Sequence, residues 1–205
     1  MDKGLKIESD SFDIIESLCD LSKFSEGERL VVKKLVHTTG DPEFAELAIC
    51  SVGGVDAGVQ ALKAGKPVIT DVTMVTAGIT KRYLEKTGVE VLCFINDPEV
   101  MRIAKETNQT RSEVAMVYAA EKYPDAVYAI GNAPTALLKL LELKREGKAN
   151  PSFIAGLPVG FVKAAESKEE LSESDIPHVT NRGTKGGSPC AATVINGLLT
   201  LAAQG

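Results

Sequence analysis

Tryptophan is absent from this chain, aromatic residues make up only 5% of it, and it has just two histidines. Cys19, Cys50, Cys93 and Cys190 lie far apart, with no C-x-x-C pair and no histidine at ligand spacing. They read as free buried thiols, and neither a zinc site nor a disulfide framework is expected. No apolar run reaches membrane-spanning length before Lys, Glu or Gly interrupts it, and Met1-Asp2-Lys3-Gly4 opens into no signal-like segment. The expectation is a cytoplasmic protein without a membrane partner. The nucleotide-binding patterns G-x-x-x-x-G-K-[ST] and strand-following G-x-G-x-x-G are missing, as is the hydrolase signature G-x-S-x-G. A formal charge of −5 disfavours nonspecific nucleic-acid binding. Any anionic ligand would need a local basic cluster, because screening at physiological salt acts over roughly 8 Å. No metal and no cofactor is expected.

What is present points to one domain spanning residues 1–205. Apolar residues make up 44% and charged residues 25%, the profile of an Ala/Gly/Val-rich α/β protein. Ser9–Phe24 reads as a first helix. Ser25 and Glu28 then form an S-x-x-E capping box, so a second helix starts there, carries an apolar stripe through Leu30, Val31 and Leu35, and ends at Thr38-Thr39-Gly40. His37 falls in its last turn, where the negative end of the helix dipole favours the imidazolium form. That makes it either a proton donor or simply a well-placed cation beside Lys33 and Lys34. A short helix from Asp41-Pro42 through Ile49 and another over Gly53–Ala64 complete a helical N-terminal segment.

From Lys66 onward short β-type runs alternate with helices. The strands are expected at Pro67–Val72, Val89–Ile95, Ala126–Ile130, Ser152–Ala155 and His178–Asn181. Helices are expected near Thr80–Lys86, over Pro98–Tyr123 with a break near Asn108, and at Pro134–Glu146, Phe161–Ser172 and Pro189–Ala203. Such alternation predicts a three-layer αβα fold around a mostly parallel sheet of about five strands. Ligands bind such sheets at the carboxyl edge. The residues that follow the strands there are small, polar or flexible: Asp71, Thr73 and Met74; Asn96 and Asp97; Gly131 and Asn132; Gly156-Leu157-Pro158; and Arg182 through Ser188.

Taken singly, these signals differ in weight. Arg182-Gly-Thr-Lys185-Gly-Gly-Ser188 places two cations and a flexible turn before a helix, which suits an anion. Arg111 follows Thr110, a helix cap, and either meets a ligand or solvates its helix. Asp71 is a candidate carboxylate base without an identifiable partner. His178, after Pro177 at a strand start, reads as structural.

In order along the chain, Ser11-Phe12-x-Ile-Ile, Asp20-Leu21-Ser22-x-Phe24, Val36-His37-x-x-Gly40, Asp71-Val-x-Met74-Val-x-x-Gly78-Ile, Thr110-Arg111-Ser112, Ala129-Ile-Gly-Asn-Ala-Pro-Thr-Ala-Leu137, Gly156-x-Pro158-Val-Gly-Phe161 through Lys168, and Arg182-Gly-x-x-Gly186-Gly-Ser188 resemble the precorrin-8X methylmutase family almost end to end. The resemblance implies a homodimeric isomerase of cobalamin biosynthesis. Its reaction moves a methyl group from C-11 to C-12 of precorrin-8X or cobalt-precorrin-8 and gives hydrogenobyrinate or cobyrinate. It also implies His37 as proton donor and acceptor and Ser11 at the substrate. Arg111, Arg182 and Lys185 are the expected partners of the corrinoid substrate's carboxylates, with Asp71, Met74, Gly131 and Asn132 in the ligand-edge loops. Met74, Val75, Leu157 and Val159 are candidates for an apolar floor under the macrocycle. Thr38-Thr39 and Lys34 depart from the family pattern, which has Ala-Cys after the histidine and often an arginine before it. Two other readings remain: a tetrapyrrole carrier that binds without turnover, and a phosphate-ligand enzyme using the 182–188 loop.

Overall fold

The computed structural model describes residues 3–204; Met1, Asp2 and Gly205, on which the ends of the expected 1–205 domain and part of the expected opening at Met1-Asp2-Lys3-Gly4 fall, lie outside the described residues. The chain opens with two helices, α1 (Lys3–Leu18) and α2 (Glu26–Thr39). At Ser25 the expected capping box is present, the Glu28 carboxylate accepting the Ser25 N–H at 2.8 Å. Gly40 closes α2 in the left-handed conformation at φ 64°.

The sheet has six strands, one more than expected. They are β1 (Ala48–Cys50), β2 (Val68–Thr70), β3 (Val91–Cys93), β4 (Val127–Ile130), β5 (Phe153–Gly156) and β6 (His178–Asn181), in the order β1-β6-β5-β4-β2-β3. All neighbours are parallel except β1, which runs antiparallel to β6 with Ala48 opposite Asn181 and Cys50 opposite Val179. The short helix expected through Ile49 therefore stops early: α3 covers only Phe44–Leu47. Three residues carry too little pattern to reveal a strand, and pairing with β6 decides their state.

The strands β2 to β5 are mostly apolar on both sides because helices cover both faces, while β6 also buries His178, Thr180 and Asn181. Val68, Val127, Ala129, Phe153, Ala155 and Val179 point into a core shared with α2, α4 (Gly54–Lys63), α5 (Thr73–Gly78) and α11 (Ser188–Ala202). Ile69, Tyr128, Ile130 and Ile154 point into the opposite core with α7 (Pro98–Thr107), α8 (Arg111–Lys122) and α9 (Pro134–Arg145). The break expected near Asn108 is there, with Asn108 left-handed at φ 55° between α7 and α8. α6 (Lys81–Thr87) and α10 (Ala164–Ser172) complete the helices, and α5 was not expected from the sequence.

β3 and β4 flank β2, so the direction of winding reverses there, where sheets of this class form a ligand crevice. Here one side chain bridges that crevice. Fully buried Asp71, just past β2, accepts the backbone N–H groups of Gly131 (3.1 Å), Asn132 (2.8 Å) and Ala133 (2.8 Å) beyond β4.

Candidate active site

The antiparallel turn at β1 brings the end of α2 to the carboxyl edge of the sheet. Arg182 N–H bonds to the Leu47 carbonyl at 3.0 Å. Thr38 meets Thr193 of α11 hydroxyl to hydroxyl at 2.8 Å, so one threonine that departs from the family pattern pins α2 against α11. The other, Thr39, bonds back to the Leu35 carbonyl at 2.9 Å. His37 is thereby held on a rigid helix end with its own side chain exposed.

Ser11 and His37, on different helices, line one open groove of about 230 Å³ with Ile14, Ile15, Leu18, Val36, Gly40 and Pro42. The Ser11 hydroxyl donates to the Ile7 carbonyl at 2.8 Å. Phe12 presents its ring to His37 edge to face, centroids 6.0 Å apart and planes at 89°. Lys33 and Lys34 stand over the same Phe12 ring at 5.4 and 5.5 Å and pair with Glu16 (2.7 Å) and Glu8 (2.8 Å). Their charge beside His37 is thus largely offset, while α1 supplies the groove's other wall.

A second cleft of about 390 Å³ adjoins the same helix end, lined by Thr38, Thr39, Asp41, Phe44, Val159, Lys185, Gly186, Pro189 and Cys190. The loop of residues 182–188 forms its floor. It lies so close to the loop after β5 that a Cβ on Gly186, at φ 148°, would sit 2.3 Å from the Leu157 carbonyl oxygen. Gly131 is equally constrained: a Cβ there would lie 2.7 Å from the Ser188 Cα. Gly131 therefore allows the β4 turn to touch the start of α11.

The expected substrate residues separate into two groups. Arg111, Arg182 and Asn132 are exposed, and neither arginine makes an ion pair among the described residues. Arg111 follows Thr110, whose hydroxyl is 3.3 Å from that of Thr135 at the start of α9, so it stands near the Asn132 turn. Met74 is 66% exposed on α5. Lys185, in contrast, is already engaged. Its ammonium lies 2.5 Å from Asp41 and 2.6 Å from Glu43, and these two carboxylates hold its proton affinity above the ordinary lysine range.

Asp71 does not stand as a base facing a ligand. Burial pushes its carboxyl up from the usual range, the three N–H bonds oppose that, and both oxygens are occupied by backbone. Of the expected apolar floor, Val75 and Leu157 are fully buried in the core, because their side chains complete the α5 and β5 packing. Met74 and Val159 remain exposed. Sequence reasoning passed over Asp41 and Glu43, although acidic residues directly after Gly40 were a visible signal for a lysine partner. The helix expected from Phe161 begins only at Ala164, so Phe161 and Val162 stand 94% and 78% exposed in the turn between β5 and α10.

His178 is buried at the amino edge of the sheet, away from this site. Its Nδ1–H donates to the Ile176 carbonyl at 2.7 Å, and Nε2 is buried without a partner among the described residues. Burial lowers its proton affinity below the ordinary value. The unfolded chain then binds a proton more readily, so stability falls as pH drops below about 6.5, by at most about 1.4 kcal/mol per unit for one group. Urea titrations at pH 7 and 5.5 should show this loss, and His178→Asn should flatten it. An equal slope in both proteins would refute the assignment.

The family model described as precorrin-8X methylmutase (CbiC) matches residues 6–201. The chain is 40% identical over 200 residues to a cobalt-precorrin-8 methylmutase from Priestia megaterium, covering 98% of this chain and 89% of that protein. It is 42% identical over 197 residues to a precorrin-8X methylmutase from Sinorhizobium sp, covering 95% and 93%. A crystal structure of precorrin-8x methyl mutase from Thermus thermophilus superposes with a TM-score of 0.91 at 39% identity, over 97% of this chain and 96% of that one.

Proposed function

The chain belongs to the precorrin-8X methylmutase family, and from that membership we propose that it moves a methyl group from C-11 to C-12 of a corrinoid macrocycle with His37 as proton donor and acceptor. It is an isomerase of cobalamin biosynthesis. The observation that carries the assignment of His37 is the groove it shares with Ser11: a polar pair from two helices, open to solvent and otherwise apolar. A methyl shift within one molecule needs neither an external oxidant nor a group acceptor. A proton delivered by His37 to a ring nitrogen or carbon draws electrons from the migrating centre, and its return to the imidazole leaves an isomer of the starting material. The apolar lining suits a macrocycle and the exposed cations suit its carboxylates. Arg111 and Arg182 are the readier anion contacts, since a substrate carboxylate would have to displace Asp41 or Glu43 to reach Lys185.

The proposal treats residues 1–205 as one methylmutase domain, supported by two cores packed on opposite faces of one sheet. It includes a homodimer, supported by apolar exposure along α1 that continues from Ile14 and Leu18 at the groove to Ile7 outside it. A cytoplasmic location accords with four free cysteines. Among the described residues no helix is long and apolar enough to cross a membrane.

Incubating the purified protein separately with precorrin-8X and cobalt-precorrin-8, and following the ultraviolet-visible spectrum, tests the activity. Conversion of at least one to hydrogenobyrinate or cobyrinate is expected, and the form converted faster identifies the substrate. Tight binding of both without conversion would overturn the reading in favour of a carrier.

A further inference from the structure

Beneath the 182–188 loop lie two buried polar side chains to which the proton chemistry gives no task. Lys168, on α10, is 1% exposed, and its ammonium donates a hydrogen bond to the Lys185 carbonyl at 2.5 Å. Asn181, which ends β6 and is also 1% exposed, donates from Nδ2 to the Arg182 and Lys185 carbonyls, both at 2.9 Å. The backbone of the loop is thus held from below under each of its two cationic residues. From the side, Gly160 N–H bonds to the Thr184 carbonyl at 3.1 Å and Gly187 N–H to the Leu157 carbonyl at 2.8 Å.

An ammonium is a costly group to take out of water, and a single carbonyl returns little of that cost. Among the described residues no carboxylate pairs with Lys168. Burial lowers its proton affinity to about 8, with the Cys190 thiol a weaker opposing influence. A residue chosen only for stability at this position would be apolar. The ammonium's reach to a loop carbonyl points to a different benefit: a loop carrying three positive-φ glycines, Gly183, Gly186 and Gly187, has many alternative conformations to suppress before its cations stand in place.

We propose that Lys168, together with Asn181, is a positioning residue that pre-sets the 182–188 loop for the carboxylates of the substrate. This rests on the reading that Arg182 meets those carboxylates, and Lys185 with it once a substrate carboxylate displaces Asp41 or Glu43. Lys168 touches no reacting atom. It acts by fixing the backbone from which the two cations project.

Lys168→Met keeps the length and apolar stem while removing the charge. The expected result is a melting temperature equal to or above wild type and a substrate Kd weakened about ten-fold, the worth of one well-placed charged contact. The single-turnover rate at saturating substrate should stay within about three-fold, because the acid is untouched. In the Arg182→Ala/Lys185→Ala background, Lys168→Met should weaken binding no further. If the double variant binds substrate as wild type does, the reading of the loop itself fails. If the double variant binds weakly but Lys168→Met alone leaves Kd unchanged, or adds its full effect to the double variant, the positioning role is overturned. A melting temperature lowered by more than a few degrees in Lys168→Met would also overturn it, since the ammonium would then serve the fold.

Discussion

His37→Ala should retain substrate affinity within a few-fold and lose about two or more orders of magnitude in single-turnover rate, the usual worth of a positioned general acid. A hundred-fold loss corresponds to about 2.7 kcal/mol of transition-state stabilisation. The groove around His37 is mostly apolar side chain, so truncating one exposed imidazole removes little contact area while removing the proton. The same exposure means the fold should not register the change. Among the described residues the His37 side chain makes no hydrogen bond, and its edge contact with Phe12 is at the surface, so the melting temperature should move by no more than about 2 °C. Single-turnover conditions are required because slow product release would hide the chemical step. His37→Gln, which keeps hydrogen-bonding capacity without an acid, should be as slow as His37→Ala. A near wild-type rate in either variant would remove His37 from the mechanism and leave the groove as a binding surface only.

Asp71→Ala should be the most damaging single change to stability. It would leave the N–H groups of Gly131, Asn132 and Ala133 without their acceptor, and those of Gly131 and Ala133 are buried from water. Each buried N–H left without an acceptor costs about 1–3 kcal/mol, so the loss should reach roughly 3–5 kcal/mol. For a chain of this size that lowers the melting temperature by on the order of 10 °C. Asp71→Asn has nearly the same shape but turns an amide N–H toward backbone N–H groups, so it should also destabilise, by less. The Gly131 turn rests against the Ser188 backbone, and activity should fall in both variants through displacement of the 182–188 loop. A carboxylate acting as base would behave in the opposite way, with a slow Asp71→Asn enzyme of unchanged melting temperature. That result would overturn the structural assignment.

The two expected effects separate the tasks of the carboxyl edge. On the proposed reading, function is concentrated in an exposed imidazole that the fold can spare, and stability in a buried carboxylate that the chemistry does not touch. Lys185 stands between them. Its pairs with Asp41 and Glu43 tie the loop after β6 to the end of the His37 helix, so ligand binding at one would be felt at the other.

Much of this was legible in local pattern. The capping box at Ser25, the Gly40 stop, the Asn108 break and the strand at His178–Asn181 follow from short-range rules that tertiary contacts did not override. Position on a helix end, and hence the setting of His37, is a property of neighbours in sequence. Which partners it would meet is not. That Ser11 of α1 lines the same groove depends on α1 packing across α2, and the linear pattern of α1 does not record it. The chain also gave no local sign of β1, because three residues become a strand only when β6 is there to pair with them. The least accessible information was the fate of charges. Asp71 and Lys185 follow strands and Lys168 lies within a helix, and nothing in the local sequence tells their fates apart. Folding then buries Asp71 under three N–H groups, buries Lys168 under a carbonyl, and leaves Lys185 at the surface between two carboxylates. Burial and pairing arise from segments brought together across the whole chain, so a charge's role as brace, positioning group or ligand contact is set by its neighbours in space rather than by the motif that carries it.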